Sequence, residues 1–229
     1  MNRQSVETAI DASLQRLRDH PFVVAAHADT LTEQQAQRWV MCAGRESRSF
    51  PDVLRNTLVS ATVPQLRVVL QHNLDDELGN GNPAEAHFRH YLRLLHDVGI
   101  SQDQFLAYRE RAGIQFALSL AYNVSSGAPE AVALGYMLVN EAITPITYGA
   151  AKQAFARYYP ALVTEFFDLH VTVDDRHVAD LYTAVDAEPD DGVGDILYGV
   201  AIGERGMAVL LDEALGLLDH LDSIPTYTS

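Results

Sequence analysis

Apolar residues recur at intervals of three and four along nearly the whole chain, as on one face of an α-helix. The run Val6, Ile10 and Leu14 shows this spacing first. We find no pair of segments in which apolar and polar residues alternate as they do in paired strands. Clear breaks at residues 79–83 (Gly-Asn-Gly-Asn-Pro) and 125–129 (Ser-Ser-Gly-Ala-Pro) separate long helical stretches. The pattern therefore predicts an all-α protein.

The chain has 229 residues, enough for one large domain with a substantial core. We expect a single all-α domain of about seven or eight helices over residues 1–222, followed by a loose tail over residues 223–229. A helix is predicted to start near Thr32, and the pair Phe50-Pro51 is predicted to interrupt it.

The net charge and the composition of the chain limit the kinds of molecule that it is expected to bind. The formal net charge is −15, and such an acidic surface repels nucleic-acid phosphates and anionic membranes. A single cysteine, Cys42, allows no intrachain disulfide, which suits a reducing compartment. No apolar run approaches about 18 residues, and residues 1–20 resemble an amphipathic helix rather than a signal peptide. We expect a cytoplasmic protein with neither a nucleic-acid nor a membrane partner.

Three residues in the C-terminal third share one helical stripe: His170, Asp174 and His177. Their spacing of i, i+4 and i+7 places the second and third side chains about 40° and about −20° from the first. Two imidazoles and one carboxylate on one stripe suit a borderline transition metal such as iron. A polar helix surface that carries two histidines by chance gives the same spacing, so the residues around the triplet decide between the two interpretations.

Three other side chains are candidate partners of the triplet. Glu141 lies in the most apolar stretch of the chain, where a carboxylate is costly to bury unless it is paired, protonated or bound to metal. A hydrogen bond to Tyr148 is the structural alternative. Glu77 and His87 flank the break at residues 79–83, which allows their side chains to converge. An acidic helix end and a surface histidine would look the same.

Four further residues are candidates for the site, one as a metal ligand and three as contacts for the substrate. Glu46 is a further candidate metal ligand, although its neighbours Arg45 and Arg48 make a salt bridge the simpler role. The same two arginines are candidates for holding a substrate carboxylate. Tyr148, seven residues after Glu141, is a candidate for the same cavity. Surface ion pairs and core packing are the corresponding structural alternatives.

Three histidines and three carboxylates from three helical regions suit a pair of iron ions. A carboxylate can bridge two metals, and open coordination positions can take O₂. The chain has no Glu-x-x-His motif, so a ferritin-like bundle is disfavoured. The predicted metal ligands are Glu77, His87, Glu141, His170, Asp174 and His177.

At these residues the chain resembles the heme-oxygenase-like diiron oxidases, an all-α superfamily. That superfamily is related in fold to thiaminase-type and pyrroloquinoline-quinone-synthase-type proteins. The matching segments are Asp-Glu-x-Gly-x-Gly at residues 76–81, the lone Glu141, and His-x3-Asp-x2-His at residues 170–177. The N-terminal half is also similar, in the order His20-Pro21-Phe22, Leu31-Thr32, Trp39 and Phe50-Pro51.

The resemblance implies a heme-oxygenase-like helical bundle that holds two Fe(II) ions reactive toward O₂. It implies one iron near His87 and His177 and another near His170 and Asp174, with two glutamates completing or bridging the site. Some N-oxygenating members of the superfamily carry an extra carboxylate on the first core helix, where this chain has Glu46. No catalytic side chain beyond the metal ligands is implied.

The implied function is that of an iron-dependent oxidoreductase in a specialised biosynthetic pathway for natural products. Its substrate would be a small amino-acid-derived molecule, changed by N-oxygenation or by oxidative C–C cleavage or decarboxylation. The resemblance allows an external electron donor and a homodimer. Two alternatives stay open. One is a metal-free thiaminase-type or cofactor-oxidase-type enzyme of the same superfold, although those proteins lack the His/Asp/His triplet. The other is a helical interaction protein with a vestigial metal site.

Overall fold

The computed structural model describes residues 2–221, except for the side chains of Asn2 and of residues 171–175. Within that range it contains ten α-helices, two 3-10 helices and no strand. The all-α prediction is confirmed. The count exceeds the predicted seven or eight. In the same range no helix combines the length and the apolar character that crossing a membrane requires. The predicted tail at residues 223–229 lies outside the described residues.

The helices follow one another with short connections. Their bounds are α1 Asn2–Arg18, α2 Pro21–His27, α3 Glu33–Ser60, α4 Pro64–Glu77, α5 His87–Asp97, α6 Gln102–Ala107, α7 Ala112–Gly127, α8 Glu130–Tyr158, α9 Glu165–Ala187 and α10 Val193–Leu215. The 3-10 helices are Pro83–Glu85 and Asp190–Gly192.

Local sequence signals fix several helix starts. At α3, the Thr32 hydroxyl accepts a hydrogen bond from the Gln35 amide (3.2 Å), and the Gln35 side chain accepts one from the Thr32 amide (3.0 Å). Ser101 and Gln104 form the same reciprocal pair at α6. Each such pair satisfies two amides that a helix start leaves without partners, which stabilises the helix by about 1 kcal/mol.

Helix α8 is the centre of the bundle. It contacts α1, α2, α3, α7, α9 and α10, and residues 131–139 are buried on every side. Glycines let α8 and α10 approach until their backbones touch. A Cβ on Gly135 would overlap the carbonyl group of Ile196, and one on Gly199 would overlap the carbonyl oxygen of Val132. This close pair of helices forms the rigid base of the bundle.

Two prolines lie inside long helices. The predicted interruption at Phe50-Pro51 is wrong, because α3 continues through Pro51 as one helix of 28 residues. Pro145 likewise lies inside α8. A proline has no N–H, so the carbonyls of Ser47 and Glu141, four residues earlier, lose their helical donors. The cost is about 3 kcal/mol for each proline, and the contacts of both helices with the core offset it.

The α8–α10 contact yields a first prediction. We expect Gly135→Ala to lower the free energy of unfolding by about 1–3 kcal/mol, because the added methyl group meets backbone that cannot move aside. Gly149→Ala on the same helix is the matched control, since a Cβ there has open space around it. The control should raise stability by up to about 1 kcal/mol through helix propensity. Urea denaturation followed by circular dichroism measures both, and equal effects would contradict the close packing.

Candidate metal centre

Three buried side chains meet where α4, α5 and α9 come together. Glu77, His87 and His170 each place one ligand atom so that the three atoms lie within 4.8 Å of one another. Glu77 is the last residue of α4, and His87 is the first residue of α5. The three residues are at most 7% exposed. The structure thus brings together three of the predicted ligands from separate helices.

A tight turn brings Glu77 and His87 together. Gly79 has a φ of +83°, which L-residues with a side chain rarely adopt. A Cβ at this position would lie 2.7 Å from the amide nitrogen of Ala86, so the returning chain leaves no room for a side chain. Asn82 starts the 3-10 helix that follows, because its side chain accepts a hydrogen bond from the Ala84 amide (3.2 Å).

The close contact between Glu77 and His87 joins a carboxylate and an imidazole, two groups that can bind the same cation. Glu77 Oε1 lies 2.8 Å from His87 Nδ1. Yet no hydrogen bond of acceptable direction joins that buried nitrogen to any residue in the described part of the chain. Adjacent ligands of an octahedral ion with bonds of about 2.1 Å lie about 3 Å apart. Carboxylate and imidazole are also donors that suit iron. These residues therefore fit an iron ion.

His170 is oriented by its own helix. Its Nδ1 lies 2.7 Å from the carbonyl oxygen of Phe166, one turn earlier in α9. This bond leaves the Nε2 lone pair free to bind a metal, as the hydrogen bonds of metal-binding histidines commonly do. Burial, together with the neighbouring His87, lowers the pKa of His170 to about 4. At neutral pH the ring is therefore uncharged, which is the form that binds metal.

A second group of side chains joins α4, α8 and α9. His177 Nδ1 lies 3.2 Å from Glu141 Oε2, and His177 Nε2 lies 3.0 Å from Asp76 Oδ2. Asn73 donates a hydrogen bond to Glu141 Oε1 (2.6 Å). Burial lowers the pKa of His177, but Glu141 and Asp76 outweigh that effect and raise it to about 9. A metal cation bound here would take the place of the extra proton on His177. Its positive charge would then balance the carboxylates of Glu141 and Asp76.

The two groups form one electrostatic unit. Burial acts to raise the pKa of Glu77, but the neighbouring His87, His170 and His177 together lower it. Glu141 in turn acts to raise the pKa of His170, against the larger effect of burial. Five of the six predicted ligands thus lie close enough to influence one another.

The structure shows which candidate ligands lie next to one another. His87 lies beside His170, with ring centroids 4.9 Å apart. His177 contacts Glu141 and Asp76. The assignment of ligands to individual iron ions that the resemblance implies stays a prediction. The predicted ligand Asp174 lies on α9 between the two histidines, but its side chain is outside the described residues.

A cavity of ≈ 60 Å³ opens beside these ligands. Glu77, Glu141 and His170 line it, as do the predicted candidates Glu46 and Tyr148. Tyr148 also packs against the ring of His170, with centroids 5.0 Å apart. The sequence left two alternatives for Tyr148, a place in the cavity lining or packing in the core. In the structure its side chain does both.

The two predicted substrate-binding arginines do not face this cavity. The Arg45 guanidinium donates hydrogen bonds to the carbonyls of Phe105 (2.9 Å), Leu106 (3.2 Å) and Tyr108 (2.7 Å). Arg48 is exposed and lines a separate surface groove. Neither belongs to the cavity wall that the described residues form, so the predicted carboxylate clamp is not present there.

Glu46 follows Arg45 in α3, and its side chain points about 100° around the helix from that of Arg45. It is partly buried at the cavity, and no hydrogen bond or ion pair joins its carboxylate to any residue of the described chain, Arg45 and Arg48 included. Burial raises the pKa of Glu46 to about 7. It also lies outside the three-residue ligand cluster of Glu77, His87 and His170.

Two residues that support the site were missed in the sequence. Asn73 holds Glu141, and Asp76 holds His177. The signal for Asn73 is its spacing from Glu77, because residues i and i+4 of a helix share a face. Asp76 is the first residue of the Asp-Glu-x-Gly-x-Gly segment at residues 76–81, but its position in an acidic run at a helix end gave no sign that it contacts His177.

Comparison with known proteins places the chain in a family. Residues 37–202 match the family of iron-containing redox enzymes, and the chain belongs to that family. No protein of curated function matches the sequence. The resemblance seen in the sequence is confirmed at the level of family and fold.

Solved structures of low sequence identity share the fold. A TenA homologue from Pseudomonas syringae pv. tomato is 12% identical over 93% of this chain and 92% of that chain, with a TM-score of 0.77. A protein from Shewanella denitrificans with a heme oxygenase-like fold is 14% identical over 99% and 96%, with a TM-score of 0.75. A CADD-like protein from Nostoc punctiforme is 17% identical over 94% and 99%, also with a TM-score of 0.75. The predicted heme-oxygenase-like bundle is confirmed.

The turn between Glu77 and His87 yields a second prediction. We expect Gly79→Ala to lower the free energy of unfolding by about 3 kcal/mol, because a strained φ costs about 1–2 kcal/mol and the overlap with the returning chain adds to it. Gly81→Ala is the control, since its φ is +86° but a Cβ there meets nothing within 4 Å. Chemical denaturation compares the two variants. If they lose the same stability, backbone strain alone explains the turn.

The unpaired carboxylate of Glu46 yields a third prediction. Its pKa of about 7 lies above the ordinary value of 4.5, so ionisation of the buried group opposes folding increasingly as pH rises from about 4 to about 7. We expect Glu46→Gln to be stabilising by up to about 3 kcal/mol at pH 8 and nearly neutral at pH 4. Asp52→Asn, on the exposed face of the same helix, should show no such pH dependence. Denaturation of the metal-free protein at both pH values measures this, and a constant difference would refute it.

Proposed function

We propose that this protein is a non-heme diiron enzyme that uses O₂ to oxidise a small amino-acid-derived substrate in a specialised biosynthetic pathway. The observation that carries the proposal is the meeting of five buried candidate ligands from four helices beside one cavity. Membership of the iron-containing redox enzyme family supports it. The reaction class within the proposal is N-oxygenation, or oxidative C–C cleavage or decarboxylation.

The chain supplies two sets of ligands for the proposed iron pair. Glu77, His87 and His170 form one set, and Glu141 and His177 form the other. Asp174, between the two histidines of α9, is the sixth candidate. Iron in such a site supplies the redox chemistry with O₂, which protein side chains by themselves do not provide.

The side chains around these ligands hold them in place. The Phe166 carbonyl fixes the tautomer of His170, Asn73 orients the carboxylate of Glu141, and Asp76 orients His177. Arg176 pairs with Asp76 at the outer edge of the site. Supporting contacts of this kind commonly change metal affinity by about 10–100-fold.

The cavity offers a substrate an apolar surface beside the ligands. Phe50, Val53, Leu118 and Met207 are among the apolar residues that line it. A substrate that fills this space displaces water and lies directly beside Glu77, Glu141 and His170. Exclusion of water strengthens electrostatic interactions within the site and limits side reactions. The proposed partners are therefore the substrate and O₂, with electrons from an external donor where the reaction requires them.

A fourth prediction tests the iron site. Anaerobic titration of the metal-free protein with Fe(II), followed by Mössbauer spectroscopy, should give two ions per chain. We expect His87→Ala, His170→Ala and Glu141→Ala each to weaken uptake by at least about 10-fold, because each removes a direct ligand. Exposure of the loaded protein to O₂ should oxidise the iron, with a change in absorbance that these variants lack.

The matched control for His87 is His96→Ala on the same helix. The His96 side chain is 91% exposed, so its removal should leave iron uptake unchanged. Circular dichroism establishes that each variant is folded. Iron uptake that is absent, or equal in the ligand variants and the control, would reject the diiron function. It would favour a metal-free enzyme of the same fold or a helical interaction protein.

A further inference from the structure

The cavity beside the metal ligands continues along α3 and α8, beyond the ligands themselves. Its lining includes the apolar residues Phe50, Val53 and Leu118 and the polar residues Glu46 and Asn140. Glu46, Phe50 and Val53 share one stripe of α3, because they are spaced by four and seven residues. A molecule in the cavity can therefore contact a carboxylate and apolar side chains of the same helix face.

The carboxylates that line this cavity make it negatively charged. Glu46, Glu77 and Glu141 all line the cavity, and none of the lining residues in the described part of the chain is a lysine or an arginine. A substrate carboxylate placed beside Glu46 would meet an acidic side chain without a compensating lysine or arginine in the lining, and the proposed iron ions would offset negative charge only at their own ligands. Burial of an unpaired charge costs several kcal/mol, so the part of the cavity beside Glu46 disfavours an anionic group.

The three acidic residues differ in what they contact. Glu77 is paired with His87, and Glu141 with His177 and Asn73. Glu46 alone contacts no hydrogen-bonding or ionic partner among the described residues. A partly buried carboxylate without a partner is costly, and such a group in a cavity is satisfied when a ligand supplies the missing donor.

Glu46 is also separate from the ligand cluster. Its charge acts on Tyr91 and Tyr136, where it adds to the effect of burial in raising the pKa of both hydroxyls. No hydrogen bond or ion pair joins Glu46 to a predicted metal ligand among the described residues, whereas Glu77 contacts His87 and Glu141 contacts His177. This position suits a substrate contact at a distance from the metal ligands.

We infer that Glu46 binds the amino group of the substrate, so that the cavity takes an amine rather than a molecule held there by its carboxylate. This inference rests on the proposed function for its account of what happens at the metal ligands. The ammonium group forms a charge-assisted hydrogen bond to Glu46, and the carbon chain lies along Phe50, Val53 and Leu118.

Binding of three simple probes to the metal-free full-length chain tests the inference. Butylamine, butanol and butyrate have similar length and differ in the charge of the head group. We expect calorimetry to show that butylamine binds about 10-fold or more tightly than the other two, because a charge-assisted hydrogen bond is worth more than a neutral one. Equal binding of the three probes, or no detectable binding of butylamine, overturns the inference.

Substitutions in α3 test whether Glu46 causes the tighter binding of butylamine. Glu46→Gln keeps the shape of the side chain and removes its charge, so it should reduce the preference for butylamine about 10-fold. Asp52→Asn removes one carboxylate from the exposed face of the same helix and should retain the preference. If Glu46→Gln binds butylamine as tightly as the unaltered chain, the inference is wrong.

Iron uptake separates this inference from the proposed function. Fe(II) titration of folded Glu46→Gln should give the same number of ions as the unaltered chain. Loss of an ion in this variant would identify Glu46 as a metal ligand and overturn its assignment to the substrate. An unaltered chain that binds no iron but keeps the Glu46-dependent preference for butylamine would reject the diiron function alone.

Discussion

The burial of ionisable side chains in a helical core is the constraint on which this structure depends. Glu77 and Glu141 are almost fully enclosed, and neither has a lysine or arginine beside it among the described residues. Imidazoles take that place, with His87 beside one carboxylate and His177 beside the other. A histidine can exchange its proton for a metal ion near neutral pH, whereas an arginine cannot. The core is thus stable in a form that is also ready to bind metal.

That constraint explains the arrangement of the helices around it. Each carboxylate comes from a different helix than its histidine, so the pairs form only when the bundle is assembled. Gly79 provides the tight turn that places the end of α4 against the start of α5. Gly135 and Gly199 let α8 and α10 touch, which fixes the position of Glu141. Packing and electrostatics therefore depend on one another.

Much of the fold could be predicted from the sequence, since the helical period and the breaks depend on local residues alone. The effect of Pro51 was misjudged, because a local cost of about 3 kcal/mol is smaller than the contacts that hold a long helix in the core. The types of ligand were also visible locally, in the stripe on α9 and the isolated Glu141. Their grouping was not, because His87 meets His170 only through the packing of α5 against α9. Arg45 and Glu46 show the same limit. Neighbours on a helix point about 100° apart, and the sequence does not state which one faces inward.

The hydrogen bonds that Arg45 donates affect how the size of the cavity can change during evolution. Its guanidinium holds the carbonyls of Phe105, Leu106 and Tyr108, in the segment that leads into α7. The start of α7 is also held from the other side, where Glu213 accepts a hydrogen bond from the Ile114 amide (2.6 Å). Because α7 carries one wall of the cavity, its distance from α3 depends on two contacts that no substrate touches. Related chains could therefore evolve wider or narrower cavities through these remote positions while every candidate metal ligand stays the same.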